Sequence, residues 1–326
     1  MRKTLLALSI PFLLCALAHA ASFDCTKAKT AQEKAICATP ELSKADEQLA
    51  AAYKAVLAAA PPEMTAEIRE GQRTWLRQLA ITCKQEDPAP YATLTDCLET
   101  EYASRIDDLR HMIVQSGGVT FVWRKKTVKD ESDDMEYGGR PCNVVSYSWP
   151  QANRNTLEWK AWNRVIEMET QGPSPGCRGI VATSLGIVNS DLVAATIDVE
   201  WSAPAAPRGY SIQFNWLLRK QRELESNDVF TQGSKWELAL QKRCIEEFRK
   251  AAGNEFESIF QPRKLSEDVR AAVESPESWQ LDGEGLTIIF PPCSVASCPF
   301  PEVSVAIPWS DLKPYLNPDF VPLAGQ

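Results

Sequence analysis

The chain has 326 residues, 44% of them hydrophobic, with 35 basic and 43 acidic side chains and a formal charge of −8. That length allows two domains with real cores. The acidic balance argues against nucleic acid and anionic membrane surfaces as partners, while a basic protein partner is electrostatically permitted.

Residues 1–20 read as a secretory signal peptide. Arg2 and Lys3 form its charged start, Leu5 to Ala16 is mostly apolar, and Ala18-His19-Ala20 is a small-x-small cleavage site. The apolar run is short for a membrane span. Cys15 raises the question of a lipid anchor, but bulky Phe12, Leu13 and Leu14 precede it where a lipobox needs small residues. Plain export to the periplasm or the medium is therefore expected. The mature chain would start at Ala21, with 33 basic residues against 43 acidic ones and a formal charge of −10. Of the ten cysteines, nine remain after Cys15 is set aside, enough for four disulfides and one odd thiol in an oxidising compartment. No C-x-x-C occurs and His111 is the one histidine after the signal, so a Cys/His zinc site is not expected. No metal or cofactor is expected.

Residues 21–114 are helical by pattern. Thr30-x-x-Glu33 is a capping box that can start a short helix running toward Cys37. Thr39-Pro40 supplies a cap and a first-turn proline for a second helix, in which Leu42, Ala45, Leu49, Ala52, Tyr53 and Val56 share a face. Pro61-Pro62 end it. A third helix carries Met64, Ile68, Trp75, Leu76, Leu79 and Cys83 on one stripe, and Asp87-Pro88-Ala89-Pro90 breaks it. A fourth carries Leu94, Leu98, Tyr102, Ile106, Leu109 and Ile113. Short breaks between the last three imply an antiparallel bundle. An antiparallel turn at Pro88–Pro90 would bring Cys83 to Cys97, and Cys25 to Cys37 would clamp the N-terminal tail.

Ile113 to Thr120, with Ser116-Gly117-Gly118, reads as a linker. The division is then a signal at 1–20, a helical domain at 21–115 and a second domain at 116–326. In the second domain, Val119–Val122, Val144–Trp149, Ile180–Leu185, Val193–Trp201 and Tyr210–Leu217 read as strands, with residues 203–207 as a hairpin loop. Helices are expected over 158–169, 235–252 and 265–274, further strands over Leu286–Phe290 and Val303–Ile307, and a closing helix over Trp309–Leu316. The fold class is α+β: a disulfide-linked antiparallel helical bundle, then an α+β domain with a largely antiparallel sheet. Cys142 and Cys177 are candidates to pair across the second domain, and Cys293 and Cys298 to close a local proline-rich loop. That leaves Cys244, on a predicted helix, as the odd thiol, expected to be buried and inert.

Residues 23–109 resemble the N-terminal domain of the LprI-type lysozyme-inhibitor family. The features that carry this are Cys25, Thr30-x-x-Glu33-x-x-Ile36-Cys37, Pro40-x-Leu42, Tyr53, Gln72-Arg73-x-Trp75-Leu76, Cys83, Cys97-Leu98 and Arg105-x-x-x-Leu109. The family commonly has an Arg-Asp pair where this chain has Leu79-Ala80. The second half is similar to the extracellular domain of the RsiV-type anti-sigma factors, which sense lysozyme. It shares Tyr210 to Asn215, Asn227-Asp228-Val229-Phe230, Leu286 to Pro292 and Ile307-Pro308-Trp309. With no membrane helix after the signal, a direct signalling role is not implied. Both resemblances imply a lysozyme-like muramidase, itself a basic protein, as partner.

Trp75, on an apolar stripe, is read as core. Arg73 and Arg105 are candidate partner contacts, as are Asp130, Glu131, Asp133 and Asp134 of an acidic loop that lacks the ligand spacing and central glycine of a calcium hand. His111 has no serine or cysteine neighbour in sequence, and no carboxylate pair can be assigned the separation a glycosidase needs. The expected function is therefore non-enzymatic: an exported protein that is a binder or an inhibitor of a muramidase. The alternative is a cell-wall-associated or structural envelope module without inhibitory activity.

Overall fold

The computed structural model describes residues 21–84, 90–129, 136–137, 140–141, 144–173, 179–201, 208–260, 262–296 and 302–320. Two compact units are present. One comprises the N-terminal residues through Ala58 together with Ala66–Arg110, the other Ala59–Thr65 and His111 onward.

The first unit is helical. A 3-10 turn at Cys25–Lys27 leads into α1 (Ala31–Ala38). The expected capping box starts α1: the Thr30 hydroxyl accepts the Glu33 N–H at 3.1 Å, and the Glu33 carboxylate accepts the Thr30 N–H at 2.9 Å. Hydrogen bonds from the Thr30 and Lys29 N–H groups hold the Glu33 carboxyl below its ordinary range. Next come α2 (Pro40–Ala59), α3 (Thr65–Thr82) and α4 (Leu94–His111). Disulfides join Cys25 to Cys37 and Cys83 to Cys97, as expected. Three links tie α3 to α4: the Cys83–Cys97 bridge, the Trp75–Tyr102 ring pair and the Gln72–Arg105 hydrogen bonds. As the α3 positions descend the α4 positions rise, so the two helices are antiparallel. The α3 stripe is buried at Ile68, Leu79 and Cys83, but Leu76 is 48% exposed. Leu76 is thus no part of the core.

The second unit is α+β. Its main sheet has the order β1-β2-β5-β6-β7-β8-β9, from β1 (Ile113–Ser116), β2 (Val119–Lys129), β5 (Val144–Ala152), β6 (Gly179–Val188), β7 (Leu192–Trp201), β8 (Arg208–Leu217) and β9 (Arg222–Glu223). The pair β3 (Glu136–Tyr137) and β4 (Arg140–Pro141) forms a small separate hairpin. Among the described strands only β5 and β6 run parallel, and α5 (Leu157–Gln171) makes the crossover between them. The Asn163 side chain anchors α5 to the end of β5. Its amide oxygen accepts the Ala152 N–H at 2.8 Å and its nitrogen donates to the Ala152 carbonyl at 3.1 Å.

The stretch read as a linker is different in the structure. Ile113–Ser116 pairs antiparallel with Val119–Val122, and Gly117-Gly118 is the turn between them. Both glycines have positive φ, 54° and 70°, and a Cβ on Gly117 would collide with the Val188 carbonyl. Two glycines in a row here meet a turn's backbone demand rather than supply slack.

A further layer holds α6 (Ser226–Val229), α7 (Trp236–Ala252), α8 (Phe256–Ile259), α9 (Pro262–Glu274) and a three-stranded antiparallel sheet of β10 (Trp279–Leu281), β11 (Gly285–Phe290) and β12 (Val303–Pro308), closed by α10 (Trp309–Leu312). Its core stacks Phe230 on Trp236, with Trp279 edge-on to both. Cys244 on α7 is fully buried and free, and burial pushes its thiol up to about 12. Cys293 is disulfide-bonded. Cys142, Cys177 and Cys298 lie outside the described residues, as does the 203–207 loop between the paired strands β7 and β8.

Asp228 ties the start of α6 together. It accepts two hydrogen bonds from Arg222, at 2.8 and 2.9 Å, one from Lys220 and one from the Glu225 N–H. Burial pushes this carboxyl up, but those donors outweigh it and leave it at about 2. A depressed folded value means the stabilisation is complete above the unfolded value, near 4, and is lost as pH falls through about 2. Asp228→Asn is expected to cost about 1–2 kcal/mol at pH 7, since Arg222 and Lys220 are partly solvated. The cost should shrink toward zero between pH 4 and pH 2. Urea midpoints at pH 7 and at pH 2.5 check this; an equal penalty at both would refute it.

Candidate functional site

The motif residues of the helical unit converge on one seam between its helices. Gln72 is 9% exposed, and its side-chain oxygen accepts from both Nε and Nη2 of Arg105 at 3.1 Å. Burial pulls the Arg105 guanidinium down from its ordinary value, and the charge of Asp108 works the other way. One turn along, Trp75 meets Tyr102 edge-on at 5.4 Å between ring centroids. The Tyr102 hydroxyl donates to Oδ1 of Asp46 at 3.2 Å, and Oδ2 of Asp46 accepts the Ser22 N–H at 2.6 Å. Burial, with the charge of Asp46, drives the Tyr102 phenol far above its ordinary range. The Gln32 side chain donates to the Cys83 carbonyl at 2.8 Å, which pins α1 beside the second disulfide.

This geometry divides the two arginine candidates. Arg105 spends its donors inside the seam. Arg73 lies outside it, on the solvent face of α3, where Glu70 binds Arg73 at 2.7 Å and Arg77 at 2.8 Å. Hydrogen bonds from Arg77 and Arg73 hold the Glu70 carboxyl at about 2. Arg73, Arg77 and Ile81 follow one another at four-residue intervals, with Leu76 beside them; Leu76 and Ile81 are 48% and 58% exposed. This is a mixed surface, with two bare apolar side chains framed by arginines that a glutamate holds in place. Leu79, at the first position of the family's Arg-Asp pair, is buried at 5%. An open groove between α2 and α4 is lined by Gln48, Glu99, Ile106, Asp107 and Arg110 among others. Asp130, Glu131, Asp133 and Asp134 lie outside the described residues. Sequence reasoning missed Asp46 and Gln72 as seam residues. The signal for Asp46 was its place on the α2 stripe, between Leu42 and Leu49.

Removing Gln72 should expose the division between seam and surface. Gln72→Leu leaves a half-buried guanidinium without its acceptor and is expected to cost about 1–3 kcal/mol. Arg73→Ala should stay within about 0.5 kcal/mol. Thermal melts followed by circular dichroism check this, and equal shifts in the two variants would contradict the assignment.

Among the described residues no helix is long and apolar enough to cross a membrane, and no group of three or more His, Cys, Asp or Glu side chains could hold a metal ion.

Residues 25–109 match the family model described as lysozyme inhibitor LprI. The matched segment runs from Cys25 of the first disulfide to Leu109 of α4 and contains the seam residues Asp46, Gln72, Trp75, Tyr102 and Arg105. No curated protein matches the chain. Among solved structures, one similar chain is a DUF3298-family member from Bacteroides fragilis NCTC 9343, with 13% identity and a TM-score of 0.41, covering 63% of this chain and 96% of that one. Another is a DUF3298-family protein from Pseudomonas aeruginosa PAO1, with 12% identity and a TM-score of 0.43, covering 62% and 97%.

Proposed function

We propose that the protein is an exported, non-enzymatic binder of a lysozyme-like muramidase, and that the LprI segment carries the contact. The family match over residues 25–109 is the observation that bears most weight. The two disulfides suit an oxidising compartment, and a formal charge of −10 on the chain from Ala21 suits a basic partner. Arg105 belongs to the frame in this reading. The contact falls on the outer face of α3 at Arg73, Leu76 and Arg77, where apolar surface and charge-assisted donors lie side by side. Occluding a cleft whose working groups are carboxylates requires only bulk and a few such donors. The proposed contact unit ends at Arg110, before β1, since that strand pairs within the sheet of the second unit.

Lysozyme turnover of cell walls, measured with and without excess chain from Ala21, tests inhibition. Surface-bound lysozyme titrated at low and physiological salt tests binding. Raising salt should mainly slow association and weaken the complex only in part. No binding at either salt by folded protein would end the proposal. Binding that vanishes at physiological salt would reduce it to unspecific charge attraction.

A further inference from the structure

Asp46 lies in the seam of the helical unit with 7% of its surface exposed, yet both hydrogen bonds given to its carboxylate come from neutral donors: the Ser22 N–H at 2.6 Å and the Tyr102 hydroxyl at 3.2 Å. No lysine, arginine or histidine among the described residues forms an ion pair with it. A buried carboxylate lacking a counter-charge is costly, and two neutral donors offset only part of that cost. A cation close to Ser22 would offset that cost.

We infer that this cation is the α-ammonium of Ala21, created when the leader is cut after Ala20, so that processing completes a buried ion pair with Asp46 and latches the N-terminal segment onto α2 and α4. The inference rests on the expected cleavage after Ala20. Consecutive backbone nitrogens are at most about 4 Å apart. With the Ser22 nitrogen already on Oδ2, chain connectivity keeps the Ala21 nitrogen within about 6–7 Å of the same oxygen, and rotation about the Ala21 Cα–C bond is the movement that brings it closer. Before cleavage that nitrogen is a neutral amide and can donate one hydrogen bond at most. After cleavage it carries a full charge and three donors. The precursor and the processed protein therefore differ in stability at one defined place, next to the segment that carries Cys25. Tyr102, held between Asp46 and Trp75, transmits the pairing to α3 and α4.

The test compares the exported full-length protein, its N-terminus read by intact mass, with the same chain carrying a Gly-Ser extension before Ala21. Both are made in wild-type and Asp46→Asn backgrounds. The extension moves the amine away without touching any contact described here. It is expected to lower the Tm of the helical unit by about 4 °C or more in the wild type and by less than about 1 °C in Asp46→Asn. Equal Tm values with and without the extension, or equal shifts in both backgrounds, would overturn the latch. So would a mature terminus other than Ala21. A second arm needs no variant of Asp46 and covers failure of Asp46→Asn to fold. Acylation of the N-terminal α-amine by an N-hydroxysuccinimide ester, followed by peptide mass spectrometry, should run about tenfold slower in the native chain, where it is that of Ala21, than in the native extended chain, where it is that of the added glycine. Equal rates would also overturn it.

Discussion

Replacing Cys83 and Cys97 together by alanine is expected to lower the stability of the helical unit by about 3 kcal/mol and to carry lysozyme binding down with it. The bridge closes a loop of 14 residues, and the chain-entropy model gives about that value for such a loop. Its position adds to the effect. It joins the end of α3 to the start of α4, and those two helices hold the seam together at Gln72–Arg105 and Trp75–Tyr102. Without the bridge, the seam must be ordered against the full freedom of the connecting segment. Loss of the Cys25–Cys37 bridge should weaken the clamp on the N-terminal segment while leaving the α3–α4 pair in register. Urea unfolding followed by helical circular dichroism, on the oxidised protein and on each double variant, reads the difference. A Cys83/Cys97 variant as stable as the wild type would show that the seam holds α3 and α4 by itself.

Leu76→Lys is expected to weaken lysozyme binding by about 100-fold while leaving the melting temperature where it was. An exposed side chain supports no core, so its replacement by another good helix former should be nearly silent in the free protein. In the complex the same change removes apolar contact and places an ammonium group in the buried interface. A central contact residue commonly costs about 2 kcal/mol or more when lost, and desolvating the added charge brings the total near the 2.8 kcal/mol that a 100-fold change represents. Leu238→Lys is the control. Leu238 is 64% exposed and belongs to the second unit, so the same chemistry there should leave binding intact. If both variants bind as wild type, the outer face of α3 is not the contact surface. If both fail, added charge and not position is responsible.

Much of the helical unit could be read from the amino-acid order because its signals are local. The Thr30–Glu33 box, the proline at the start of α2 and the spacing of Ile68, Leu79 and Cys83 each depend on a few neighbours. The strands from β5 to β8 were legible for the same reason, through runs of β-branched and aromatic residues. What the order concealed was non-local. Ile113-Val114 is too short to show an alternating pattern, and its strand character comes from Phe121 and Val122 across the turn. Arg105 reads as a surface arginine until Gln72, 33 residues earlier, is seen to bind it. Leu76 reads as core on its stripe, but it is left 48% exposed on the outer face of α3. For the candidate surface, sequence supplied Arg73, while the pairing with Glu70 and the bare Leu76 came from the fold.

The distribution of tryptophan has a practical consequence for every measurement named above. Nine of the ten tryptophans follow Arg110, and Trp75 alone belongs to the helical unit. Trp149, Trp162 and Trp216 are buried in one cluster, and among the described residues their indole N–H groups have no hydrogen-bond partner. Buried indoles emit at shorter wavelength, and the emission shifts to the red once unfolding exposes them to water. Intrinsic fluorescence will therefore follow the α+β unit and remain almost blind to the helical unit, whereas far-ultraviolet dichroism reports the helices of both, α1–α4 and α5–α10. The part of the dichroic change that does not coincide with the emission change therefore reads the helical unit without a label or a truncated chain. A mutation in the seam is expected to displace that part of the dichroic curve and leave the emission curve in place.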